Sequence, residues 1–132
     1  MPLEVRSEFM EESILVTVKK LLGLTAEYNV FDTDILSYIN SSMMTLQQIG
    51  VGPITGFIVT GYDETWSDFL PDDRNCEMVK AYIALSVKQM FDPPTSSFVM
   101  DSITRKMEEM EWRLREQAEF NPADYSKDSG DE

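Results

Sequence analysis

Residues 89–103 read QMFDPPTSSFVMDSI. Pro93 and Pro94 lack the N–H that would continue a helical ladder, and a residue before proline is pushed out of the helical region. A helix entering this stretch must therefore stop at Phe91 or Asp92. Thr95 or Ser96 then offers a side-chain oxygen to cap a new helix. The stretch is a corner between two helices, and nothing in it is chemically reactive. Two prolines lower the entropy that the corner loses on folding and hold the angle between its helices.

Upstream of the corner, Cys76, Val79, Ile83, Val87 and Met90 form an apolar stripe, widened by Ala81, Ala84 and Leu85. This predicts a third helix, capped by Asp72 or Asp73 and more buried than the others. Downstream, Val99, Ile103, Met107, Met110, Leu114 and Ala118 recur in steps of three and four from about Ser97 to Glu119. So narrow a seam predicts a fourth helix packed along one side. Trp112 lies off the seam and is a candidate interface anchor or, equally, a ring lying flat on the helix surface. Nearer the N-terminus, Ile14, Val18 and Leu21 predict a first helix from Ser13 to Leu22, with Gly23 at its C-terminal end. Ile35, Ile39, Met43, Leu46 and Ile49 predict a second, capped by Asp32 or Thr33 and stopped at the GVGP of residues 50–53.

The expected fold is all-α: a small bundle of four main helices, with a long loop between the second and third. Phe57 to Thr60, between Gly56 and Gly61, is β-prone and could form a short hairpin arm. The following DETWSDFLPDD sets Trp66 and Phe69 among acids. Both rings are expected to cover one end of the bundle. The loop, with Trp66 and the exposed edge around Asp68, is a candidate interface, because long connections inside compact domains are often functional. The expected division is an N-terminal arm over 1–12, a helical domain over 13–119 and an extended acidic tail over 120–132. The tail holds Phe120 and Tyr125 among acids that include Asp124 and Asp128. Its composition is too polar to order the segment without a partner.

Composition narrows the chemistry. The net charge is −13, from 24 Asp and Glu against 11 Lys and Arg, and there is no histidine. The commonest general base and zinc ligand are therefore missing. Cys76 is the single cysteine, so no intrachain disulfide can form. No nucleotide-binding or nucleophile motif occurs. Carboxylate pairs such as Asp32/Asp34, Asp63/Glu64 and Glu108/Glu111 read as caps or solvated faces, and Asp63, Glu64 and Asp68 lack the ligand order of a calcium loop. The expectation is a protein without catalytic residues, metal or cofactor. Such an acidic surface does not grip DNA by its phosphates. Its first reading is a solvated surface that keeps the chain soluble; it also suits a passage along which DNA slides, or a mimic of nucleic acid. The first residues, MPLEVRSEFMEES, lack the order of a signal peptide, and no apolar run is long enough to cross a bilayer. A soluble protein made in a cytoplasm is expected.

Four phrases together carry a family resemblance. FDTDILSYINSSMMTLQQIGVGP, TWSDFLPDD, VKAYIALSVKQMFDPPTSSFVMDSI and MEEMEWRLREQAE resemble the head–tail connector (adaptor, DNA-packaging or head-completion) proteins of long-tailed phages. WSDFLP and FDPPTS, in this order and one helix apart, are the most specific part, and the likeness runs from about Ile14 to Glu119. It implies an α-helical protomer that joins about twelve copies into a homo-oligomeric ring below the portal, by analogy with cyclic assemblies. It also implies a ring that extends the DNA channel and presents a surface to a neck, stopper or tail-completion protein. It implies a place at the portal vertex of the virion after assembly in the host cytoplasm, and brings no catalytic residue. On this view the tail docks on the portal through Phe120 and Tyr125, with Asp124 and Asp128 meeting basic residues. Trp66, Asp68, Pro93, Pro94 and Trp112 would shape or line interfaces. The alternative is a stand-alone acidic helical regulator or DNA mimic, against which the clustering of the acids at caps, in residues 63–77 and in the tail argues.

Overall fold

The computed structural model describes residues 12–70 and 76–120. They form α1 (Ile14–Leu21), α2 (Asp32–Gln48), the single turn α3 (Trp66–Phe69), α4 (Cys76–Phe91) and α5 (Ser97–Phe120). Helices account for 66% of the described residues, which contain no strand or sheet. The expected all-α bundle is thus present. The expected caps Asp72 and Asp73 and the expected tail lie outside the described residues.

Helix ends follow the backbone chemistry of their glycines and caps. Ser13 Oγ accepts from the Val16 N–H at 3.2 Å and starts α1. At its end, Gly23 has φ +89. The Gly23 N–H donates to Lys20 O and the Leu24 N–H to Lys19 O, the paired bonds that satisfy the last carbonyls of a helix. Gly50 ends α2 in the same way: its N–H donates to Gln47 O, and the Val51 N–H to Leu46 O. The start of α2 differs from expectation. Neither Asp32 nor Thr33 caps it. Phe31 occupies the cap position without a side-chain bond, because the Asp32 carboxylate is drawn to Lys19 instead.

Helix α4 lies at the centre. It packs most extensively on α2, next on α5, and α1 covers both α2 and α4. Ser42 Oγ donates to Ser86 Oγ at 2.7 Å where α2 meets α4. Phe31 and Phe91 meet edge to face at 5.1 Å, placing the start of α2 beside the end of α4, so the two helices run antiparallel. The core gathers Ile14, Ile35, Ile39, Leu46, Trp66, Phe69, Ile83 and Leu114, each contributing roughly 1.5–3 kcal/mol by leaving water. The seam of α5 is covered only in its later part. Met107 and Leu114 are buried, whereas Val99 near its start is exposed.

The β-prone run forms no hairpin. Phe57 to Thr60 has no regular structure, and the partner of Val59 is a side chain. Asn40 Nδ2 donates to Val59 O at 2.9 Å, and the Val59 N–H donates to Asn40 Oδ1 at 2.8 Å. One amide group thus satisfies both backbone groups of Val59, as a neighbouring strand would, and pins the loop along α2. Gln47 Nε2 donates to Ile54 O at 2.9 Å one helical stretch further on.

Candidate functional site

The expected interface residues fall in three separate places. Trp66 is fully buried. Its indole Nε1 donates to Thr17 Oγ1 at 2.9 Å, and Thr17 Oγ1 donates to Ser13 O at 2.9 Å. Trp66 therefore fastens the loop to α1 and offers no protomer surface. Asp68 is exposed and closes a capping box: Oδ2 accepts from the Thr65 N–H at 3.0 Å, while Thr65 Oγ1 accepts from the Asp68 N–H at 3.3 Å. The turn is joined to α1 by an isolated bridge between Ser13 and Thr65 and by the Ile14 N–H donating to Glu64 O at 2.9 Å.

The corner is built as its sequence suggests. Helix α4 ends at Phe91, and Ser96 Oγ accepts from the Val99 N–H at 3.3 Å to start α5. Gln89 reaches across the turn, its Nε2 donating to Thr104 Oγ1 at 3.2 Å and to Met100 Sδ at 3.3 Å. Two turns earlier the buried Tyr82 donates to Glu111 Oε2 at 2.7 Å. Burial, then the bond to Glu111, push the Tyr82 phenol well above its ordinary range. These contacts fix how α5 lies on α4. Trp112 is exposed. Phe120 closes α5, with its side chain outside the described residues, as are Asp124, Tyr125 and Asp128.

Sequence reading missed the buried charges. Lys19 is buried, and its Nζ lies 2.9 Å from Asp32 Oδ1, donates to Tyr62 OH at 2.8 Å and to Ala26 O at 3.0 Å. Tyr62 in turn donates to Asp32 Oδ2. Burial alone would lower the Lys19 pKa, but its bonds to Asp32 and Tyr62 outweigh this and raise it. Burial would raise the Asp32 pKa, but the bonds from Lys19 and Tyr62 hold it below the usual range. Lys80 is buried as well, with Nζ 5.4 Å from the Trp66 ring centroid. The available signal was position: Lys19 stands four residues after Leu15, and Lys80 between Cys76 and Ile83 on an apolar stripe.

Chemistry is sparse around these groups. Burial pushes the Cys76 thiol up, away from the thiolate that reactivity requires. Among the described residues no cluster of three Cys, Asp or Glu could hold a metal ion, and no helix is long and apolar enough to cross a membrane. A groove of about 500 Å³ runs between α1, α4 and α5, lined by Leu21, Ala81, Ala84, Leu85, Lys106 and Met110.

The described residues thus form a helical bundle whose α4–α5 arrangement is held by side-chain bonds. The sequence model for phage connector protein matches residues 14–121. The chain belongs to this phage connector family, and its role is that of a phage head–tail connector, a structural component of the virion. No match was found among curated proteins or among solved structures.

Proposed function

We propose that the protein forms a ring below the portal of a tailed phage, extends the DNA channel and joins the filled head to a neck, stopper or tail-completion protein. The observation that carries this reading is the family match over residues 14–121. The braced corner supports it, since a wedge that repeats around an axis must hold its angle in every copy. About twelve copies would close the ring, by analogy with cyclic homo-oligomers. The charge of −13 suits a passage that DNA crosses without binding.

In this proposal residues 13–119 are the connector body, and 1–12 and 120–132 are arms. The tail docks on the portal, with Phe120 and Tyr125 as apolar anchors and Asp124 and Asp128 facing basic residues. Asp68 and the Pro93–Pro94 corner shape the contacts made by the body.

Electron microscopy of the full chain mixed with its portal tests both parts. A ring stacked coaxially on the portal is expected, and no stacked density would sink the reading. Truncation after Glu119 is expected to keep the helical spectrum and lose portal docking. A truncated chain that still joins tail-less heads would discard the docking role of the tail.

A further inference from the structure

Charged residues make up 27% of the chain, yet none falls between Ile35 and Tyr62. This segment is α2 beyond its first turn and the loop that Asn40 and Gln47 hold against it. Met44 sits between those two amides along the helix, on the side turned away from α4, and is exposed. Ile54 and Ile58, in the stretch the amides hold, are also exposed. The result is a neutral surface with three large apolar side chains.

A second face of different character lies on α5. Phe98, Arg105 and Trp112 recur every seven residues, opposite the Met107 and Leu114 seam that meets α4. Phe98 is 76% and Trp112 59% exposed. The aromatics stand fourteen residues apart, roughly 21 Å along the helix. Helices α2 and α5 both pack on α4, and the two faces lie on different elements and differ in composition.

We infer that these faces bind each other between copies, the aromatic face of α5 seating on the neutral α2–loop face of the next protomer. Two chains of charge −13 repel one another, and a face without acids is where a second copy can approach closely. Interface cores gain aromatics, Met and Arg, which Phe98, Trp112, Met44 and Arg105 supply, and the exposed acids Asp101, Glu108 and Glu109 beside them would meet a stretch that carries no acid of its own. A contact between unlike faces repeats head to tail and generates a ring when its rotation closes. The inference rests on the ring reading above and assigns its contact surfaces.

The test uses Ile58→Glu and Trp112→Glu in the full chain. Both positions are exposed, so unchanged helical spectra and melting temperatures are expected. Sedimentation is followed over a concentration series, alone and with the purified portal. Each variant should stay monomeric where the wild type assembles, with onset moved at least tenfold in concentration. A 1:1 mixture of the two variants retains one intact pairing and should give dimers that cannot extend. Variants that assemble like the wild type would leave the ring reading standing and remove this pairing. A mixture that stays monomeric, or variants that still self-assemble but no longer join the portal, would likewise overturn it. A wild type that assembles under neither condition would remove the ring and the pairing together.

Discussion

Lys19 Nζ and Asp32 Oδ1 stand 2.9 Å apart, and the lysine side chain is wholly withdrawn from solvent. The pair ties the last turn of α1 to the first turn of α2, with Tyr62 from the loop closing the network. Asp32→Ala should cost about 3–5 kcal/mol, because it strands a buried ammonium. Lys19→Met/Asp32→Leu should cost less than the sum of its single variants, since both charges leave together. Urea midpoints of the four proteins check this, and strict additivity would mean that the pair is uncoupled.

The same network sets a pH dependence. Asp32 is held below its ordinary pKa by Lys19 and Tyr62, which overcome the effect of burial. Its contribution is present above about pH 3.9, the unfolded value, and is lost as pH falls through the lower folded value. Lys19 is raised, so its contribution holds below about pH 10.4 and is lost as pH rises through the folded value. Tyr82 is raised too, by burial and Glu111, and adds to the alkaline loss above about pH 10. Melting temperature against pH should therefore fall on both sides of a plateau. Asp32→Asn should flatten the acid limb, and Tyr82→Phe should soften the alkaline one.

Gly52 has φ +90, and a Cβ there would lie 2.4 Å from Phe69 Cε1. Gly23 has a similar φ of +89 with nothing near its missing Cβ. Gly23→Ala should cost about 1–2 kcal/mol, the penalty of a left-handed backbone alone. Gly52→Ala should cost about 2–5 kcal/mol, because displacing a core ring adds overpacking of about 1–3 kcal/mol. Equal losses in chemical denaturation would show that Phe69 moves aside freely.

Asn40 bridges both backbone groups of Val59. Asn40→Leu removes both bonds and should cost about 1–3 kcal/mol, net of the burial gained. Hydrogen exchange at the Val59 amide should accelerate, while exchange in α4 should change only by the overall loss of stability. Unchanged protection at Val59 would mean that the loop is held by Phe57 and Phe69 packing instead.

What the sequence revealed and what it hid divide along a physical line. Gly23, Gly50, Pro93 and Pro94 act on their own backbone, so the ends they impose were readable where they stand. The stripe through Val79, Ile83 and Val87 was readable because helical period alone gives it. The hidden features join residues distant in the chain. Asn40 substitutes for a strand only because residues 54–59 return to it. Asp32 abandons a cap only because Lys19 arrives from another helix. Glu111 looked like one acid on a solvated face until Tyr82 was placed beneath it. Trp66 and Phe69 are buried, as their expected place over one end of the bundle requires, and of the two loop residues offered for an interface only Asp68 is exposed.

The corner separates shape from stability. Pro93→Gly with Pro94→Gly frees the chain between α4 and α5 and should cost on the order of 1 kcal/mol or less per site in stability. The helices keep their Gln89, Tyr82 and Glu111 contacts, so the helical spectrum should be unchanged. The angle, however, would then rest on side-chain bonds of about 1 kcal/mol each, and in the proposed ring small errors in angle would accumulate. Assembly on the portal should therefore fall by more than the stability loss explains. Adding Gln89→Ala should deepen the assembly defect, because it removes the remaining brace across the turn. If both variants join the portal as the wild type does, the prolines only end a helix and the corner does not set the shape of the ring.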